Sequence, residues 1–204
     1  MPKHARQHNG HYGNPADLER MIRRQEAPER AAWQKPGAVI RALGLRRGHV
    51  VADVGAGPGY FSLRLARAVG PSGHVYAVDP EPLMLDVLRD RLTAARSRNV
   101  TPVLGRGDDP LLPARRCDVV LIVDTYHHFA DGPAFLRRAA QALVPGGRLV
   151  NIDFVKRETP VGPPIGHRVA REDFLRDARH AGLALVAEHH ILPYQYFLVF
   201  RRTG

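Results

Sequence analysis

From His49 onward the apolar positions of the chain switch between two spacings. Short runs rich in β-branched residues, Val50–Val54, His74–Val78, Val100–Leu104, Val119–Val123 and Arg148–Phe154, read as strands. Between them apolar residues recur at helical spacing. Phe61–Val69 puts Phe61, Leu65 and Ala68 on one face, and Leu83–Ser97 does the same with Met84, Leu88, Leu92 and Ala95. Pro133–Leu143 predicts another helix, broken by Pro145-Gly146-Gly147, and Arg171–Ala181 one more, ending before Gly182 as a C′ glycine. Val119–Val123 is apolar without alternation, as in a central parallel strand covered on both faces. Leu183–His190 and Tyr194–Arg201 then follow one another with only a short joint at Pro193. So brief a link joins antiparallel strands, because a parallel pair needs a crossover of roughly a dozen residues.

The predicted architecture is α/β: a doubly wound, Rossmann-like, seven-stranded and mostly parallel sheet with an antiparallel final strand. Residues 1–47 precede the first strand and are predicted to hold two helices, Pro15–Gln25 and Pro28–Leu43, forming an N-terminal helical cap. Residues 48–204 form the sheet domain, and the 204 residues together suit one globular unit.

The chemistry concentrates in Asp53-Val54-Gly55-Ala56-Gly57-Pro58-Gly59-Tyr60, between the first strand and the first helix after it. Glycines there let the backbone turn sharply and approach a ligand, while the helix start offers free N–H groups. In open α/β sheets ligands bind beyond the carboxyl ends of the strands. Asp79 stands at the end of the second strand, about 20 residues past the glycines, where a carboxylate takes both hydroxyls of a ribose. After the third strand Gly107-Asp108-Asp109 offers a further carboxylate, from Asp108 or Asp109, for the amine of an adenine. A dinucleotide fingerprint would place a third glycine where Tyr60 stands, and no phosphate-binding lysine follows the loop. Asp53 would repel a pyrophosphate and welcome an amino-acid ammonium. The expected cofactor is therefore S-adenosyl-L-methionine.

These residues resemble the class I S-adenosylmethionine-dependent methyltransferase superfamily, from about Trp33 to Phe200. The matching pieces are Asp53 through Gly59, Asp79, Gly107-Asp108, the segment Asp124-Thr125-Tyr126-His127-His128-Phe129 after the fourth strand, and Leu143 through Leu149. The resemblance implies that Gly55, Gly57 and Gly59 line the methionine and ribose portions, that Asp79 holds the ribose and that Asp108 contacts adenine, with Tyr60, Gly107, Asp109 and Asp124 beside them. It also implies methyl transfer by in-line displacement, most of it a matter of positioning. Tyr126, His127 and His128 are the candidates for acid–base work on the acceptor. Neighbouring side chains on an extended segment point opposite ways, so one histidine at most should face the substrate.

Charge adds a competing suggestion. The chain carries 30 basic and 20 acidic residues, a net charge of +10, which raises an RNA partner. The arginines are scattered, however, without a single basic tract. The expected acceptor is a small molecule; the alternatives are an RNA or protein methyltransferase and a non-catalytic S-adenosylmethionine-binding protein. A nicotinamide oxidoreductase is disfavoured by Asp53 and Tyr60. The single Cys117 excludes a disulfide framework and a cysteine-rich metal site. His4, His8 and His11 are spaced like a chelate but are interrupted by Asn9-Gly10, and no metal is expected. No run is long enough for a membrane span and no apolar leader opens the chain, so the expectation is a cytoplasmic protein without membrane contact.

Overall fold

The computed structural model describes residues 15–203, and the side chains of 19–203. His4, His8 and His11 lie outside the described residues. Seven strands form one sheet: β1 (Val50–Val54), β2 (His74–Asp79), β3 (Val100–Leu104), β4 (Cys117–Val123), β5 (Leu143–Phe154), β6 (Leu183–Glu188) and β7 (Gln195–Arg202). Their spatial order is β3-β2-β1-β4-β5-β7-β6. Six strands run one way, and β7 alone is reversed, antiparallel to β5 on one side and β6 on the other. Helices α1 (Pro15–Glu26), α2 (Arg30–Gln34) and α3 (Pro36–Ala42) precede the sheet. Helices α4 (Ser62–Val69), α5 (Pro82–Ala94), α6 (Gly132–Gln141) and α7 (Arg171–His180) cover its two faces.

The unalternating run in β4 is explained by the two cores it separates. Val119 and Leu121 pack with Leu65 and Val69 of α4, whereas Val120 and Ile122 pack with Phe135, Leu136 and Ala139 of α6. Val39 and Leu43 join the first of these cores, so the N-terminal helices share the packing of the sheet. Among the described residues no helix is long and apolar enough to cross a membrane.

Several boundaries differ from those the sequence predicts. The expected helix 28–43 is two helices, broken at Lys35, whose left-handed backbone (φ 45°) precedes Pro36; proline keeps the residue before it out of the helical region. Pro145-Gly146-Gly147 lies inside β5 rather than between elements. The register to β4 jumps between Leu143 and Arg148, a bulge that absorbs these residues without ending the strand. The helix before it accordingly ends at Gln141 instead of Leu143. His189 and His190, expected on a strand, follow the end of β6.

Two consequences position the site. Because β1, β2, β4 and β5 are parallel, Asp53, Asp79, Asp124 and Asp153 arrive at one edge of the sheet. Because β7 is reversed, its beginning reaches that same edge, with Gln195 opposite Phe154 and Tyr196 opposite Asp153.

Candidate active site

A cleft of about 940 Å³ opens at that edge, roofed by α1 and α2 on one side and by the 159–163 loop on the other. At its base lies the glycine loop. Gly55 has a left-handed backbone (φ 74°), and a Cβ there would come within 2.1 Å of Thr125 Oγ1, so the end of β4 packs directly on the glycine. Gly57 sits beneath the Gln25 side chain of α1, and Gly59 against Leu88 of α5. Gly55 and Gly57 line the cleft; Gly59 lies outside its lining and serves the packing of α5. Gly55→Ala is expected to destabilise the fold by about 2–5 kcal/mol, from the left-handed backbone and the overpacking together. Adding Thr125→Ala should recover the overpacking part in a denaturant titration and leave the backbone cost.

The carboxylates are buried and held by specific donors. Asp53 accepts from Ser62 Oγ at 2.6 Å. Burial pushes its pKa up to about 6, with the Ser62 hydrogen bond opposing and the charge of Asp79 adding to the rise. Asp79 accepts from the backbone N–H groups of Gly57 (2.8 Å) and Glu81 (3.0 Å). Its carboxyl is also raised by burial, against the lowering effect of those two bonds. Asp124 closes β4 in a left-handed backbone conformation (φ 52°) that non-glycine residues seldom adopt. Burial and the nearby Asp153 raise its pKa.

The N-terminal helices bring polar groups that no motif announces. Arg30 of α2 lies 4.0 Å above the Tyr60 ring, with Arg64 at 4.1 Å, and its guanidinium is 4.0 Å from Asp124 Oδ2. From Arg30 a hydrogen-bonded ring closes back on Asp124. Arg30 donates to Gln34 Oε1 (3.3 Å), Gln34 to Gln195 Oε1 (2.7 Å) and Gln195 to Asp124 Oδ1 (2.6 Å). Helix α1 is tied down at both ends of the cleft, through Arg24 to the carbonyl of Gly162 (3.0 Å) and through the Glu26–Arg91 ion pair.

On the far side, His127 Nδ1 is 3.4 Å from Asp153 Oδ2, and Asp153 is completely buried. Burial of the imidazole opposes protonation, but the hydrogen bond to Asp153 and the charges of Asp153 and Asp124 outweigh it and raise the His127 pKa. With Nδ1 so engaged, Nε2 is the nitrogen left for the cleft, which His127 lines. Trp33 and Phe154 meet at a ring separation of 5.4 Å and add an apolar wall. The loop beyond Phe154 is organised by buried Arg168, which donates to the carbonyls of Val155, Arg157, Val161 and Pro163.

The structure brings together Asp53, Gly55, Gly57, Tyr60, Asp79, Gly107, Asp124, His127 and His128 along the cleft. Tyr126, Asp108 and Asp109 stand outside its lining. The Tyr126 hydroxyl donates to Asp177 Oδ2 at 2.9 Å, beneath the α7 side of the sheet, and burial drives its pKa well above the usual phenol value. Asp108 is exposed and pairs with Arg138 at 2.9 Å. Asp109 accepts from the backbone of Leu111 at 2.8 Å. Arg106 and Asp109 close a tight turn whose Gly107, not its carboxylates, faces the cleft. Cys117 is a buried core residue whose thiol burial pushes up to about 12. No metal-holding cluster of His, Cys, Asp or Glu exists among the described residues.

Residues 51–147 match the methyltransferase domain family. A solved S-adenosylmethionine-dependent methyltransferase from Aquifex aeolicus shares the fold at a TM-score of 0.84, with 24% identity over 92% of this chain and 97% of that one. By sequence over residues 51–147 and by fold over most of its length, the chain resembles the S-adenosylmethionine-dependent methyltransferases. Among curated relatives, a protein-L-isoaspartate O-methyltransferase of Methanothrix thermoacetophila is 37% identical over 53% of this chain and 49% of its own length. A demethylmenaquinone methyltransferase of Tropheryma whipplei is 35% identical over 65% of this chain and 52% of its own length. The chain thus spans about half the length of the curated relatives it matches.

The Aquifex aeolicus protein is S-adenosylmethionine-dependent, and the cleft of this chain offers groups that fit that cofactor. The Tyr60 hydroxyl and Arg30 Nε are buried polar atoms without a hydrogen-bond partner. Arg30 lies over the Tyr60 ring and its charge acts on Asp53, and all three line the cleft, so donors for a carboxylate and an acceptor for an ammonium share it, as the methionine end of the methyltransferase cofactor requires. Asp79 could take the ribose, and Met84 with the 105–107 backbone could flank the adenine. One pH dependence follows from Asp53. The carboxylate pairs with an ammonium only when ionised, so affinity for S-adenosylhomocysteine should rise as pH increases through about 6 and level off above it. For the unliganded fold the sign is opposite. The Asp53 pKa lies above its unfolded value of 3.8, so its contribution to stability is present below that value and is lost as pH rises through about 6. Calorimetry in two buffers of different ionisation enthalpy would show the proton released on binding.

Proposed function

We propose that the chain transfers a methyl group from S-adenosylmethionine to a small organic acceptor whose accepting atom carries an acidic proton, a hydroxyl or an activated carbon. The observation that carries this reading is the His127–Asp153 pair at the wall of the cleft, opposite Asp53 and Arg30. The cofactor supplies an electrophilic methyl on a sulfonium for in-line displacement. The chain's residues hold the two reactants and take up the proton. Asp153 orients the imidazole through Nδ1, and Nε2 accepts the proton that the acceptor loses. Trp33, Phe154 and Phe129 present apolar surface to the acceptor, and the loop organised by Arg168 keeps that wall in place.

The size of the cleft supports two occupants, because about 940 Å³ stands near the upper end of the roughly 300–1,000 Å³ that small-molecule sites span. Its lining supports a small neutral or weakly charged acceptor over a polyanion. Arg24, Arg30 and Arg106 are matched there by Glu29, Asp53, Asp79, Glu81 and Asp124, so the net charge of +10 is not gathered at the cleft. The demethylmenaquinone relative favours a quinol-like acceptor, and the isoaspartate relative keeps protein methylation as the second reading. On this reading the protein works in the cytoplasm.

Calorimetry should detect S-adenosylhomocysteine and no NAD. Incubation with S-adenosylmethionine and a panel of quinols, phenols and isoaspartyl peptides, read by mass gain of one methyl, should give product with a small acceptor. Binding of NAD alone would overturn the cofactor assignment; turnover of the peptide alone would replace the small-molecule reading.

A further inference from the structure

A second cavity, of about 350 Å³, opens at the other edge of the sheet, where the parallel strands begin. Topology collects cations there. Arg148 comes from β5 just past its bulge, Arg201 from the end of the reversed β7, and Arg46 and His49 from the loop before β1. One carboxylate, Asp118, shares the cavity, and its Oδ2 accepts from the backbone of Val50 at 2.8 Å. Arg148 is anchored by donating to the carbonyl of Leu43 at 2.7 Å. Among the described residues the guanidiniums of Arg46 and Arg201 have neither an ion pair nor a hydrogen bond. His49 Nδ1 accepts from the backbone N–H of Arg46 at 3.3 Å, which puts the ring proton on Nε2 and makes that nitrogen another donor.

Like charges held this close in a concave site destabilise one another, and a bound anion relieves the repulsion. The effect is visible in Arg148, whose pKa is lowered by burial first and then by the charge of Arg201, with Arg46 adding to the lowering and Asp118 opposing it. We propose that this cavity binds a small phosphorylated molecule through Arg46, Arg148 and Arg201, with the His49 N–H as a further donor. Planar guanidinium forks match the several acceptor oxygens of a phosphate bidentately, and three of them suit more than one phosphate group. The volume lies at the small end of ligand sites, which favours a compact anion over a threaded polymer. The site is separate from the cofactor cleft, being at the opposite end of the strands.

Inorganic tripolyphosphate is the probe, titrated at low salt into the full chain and into Arg46→Gln/Arg201→Gln. Both residues are exposed, so the pair should leave the fold intact, and unchanged S-adenosylhomocysteine binding would report that. A control variant, Arg137→Gln/Arg179→Gln, removes the same charge from exposed positions on α6 and α7. Affinity for tripolyphosphate should fall at least about tenfold in the first variant and stay within about twofold in the control. Equal weakening in both variants would overturn the site in favour of a diffuse basic field. No binding to the unsubstituted chain at millimolar probe would overturn it outright. So would a single-stranded RNA that binds more tightly than tripolyphosphate and survives Arg46→Gln/Arg201→Gln.

Discussion

Asp79→Ala is expected to weaken S-adenosylhomocysteine binding about a hundredfold or more. Asp79 does two things at once. Its oxygens already accept from the N–H groups of Gly57 and Glu81, which fixes the glycine loop against the end of β2. Asp79 also lines the cleft, and its carboxylate has lone pairs left over for a ribose diol to donate to. Charge-assisted hydrogen bonds contribute about 1.5–3 kcal/mol each, and the loss of two such bonds exceeds the roughly 2.7 kcal/mol that a hundredfold change requires. Asp79→Asn keeps an acceptor for one backbone N–H but not the charge, so a loss of about tenfold is expected from it. The two Kd values separate loop positioning from ribose recognition. An alanine variant that binds within about twofold of the unsubstituted protein would remove Asp79 from the site.

His127→Ala should lower kcat by about 10²–10⁴, the usual contribution of a positioned acid–base group, with little change in S-adenosylhomocysteine affinity. Asp153→Asn provides the more specific readout. Removing its charge removes the larger of the two carboxylate influences that raise the His127 pKa, leaving that of Asp124, so the rising limb of the kcat/KM profile should move to lower pH. It also loosens the hold on Nδ1, and kcat should fall although the imidazole is still present. Full turnover by His127→Ala on the acceptor found in the panel would eliminate the base. A pH profile unmoved by Asp153→Asn would leave the histidine without its orienting partner.

The periodicity of the chain was enough to define the α/β class and the succession of strands and helices along it, because short β-branched runs and helical spacings are local properties. The reversed last strand was legible too, since the joint at Pro193 is too short for any crossover. Asp53, Gly55, Gly57 and Asp79 could be placed at the ligand edge for a similar reason: parallel strands deliver their ends to one side. What local pattern does not encode is which side chain turns inward once a strand has ended. Tyr126 and Asp108 follow strand ends as regularly as Asp79 does. Yet a 3₁₀ turn at Tyr126–His128 sends the phenol to Asp177 and the imidazole to Asp153. The Arg106–Asp109 turn leaves the Asp108 carboxylate with Arg138 in solvent.

Partners distant in the chain were hidden for the same reason. Arg30, Gln34, Gln195 and Asp124 form one ring only because α2 packs over the edge where a reversed strand begins. Arg168 gains its role only from the loop folded around it, whose carbonyls it collects. The hydrophobic and glycine pattern by itself determined a nucleotide-type sheet with acidic strand ends, since burial and backbone freedom are properties of short segments. Tertiary structure decided which polar groups meet, because hydrogen bonds and paired charges depend on distances of a few ångströms between residues far apart in sequence.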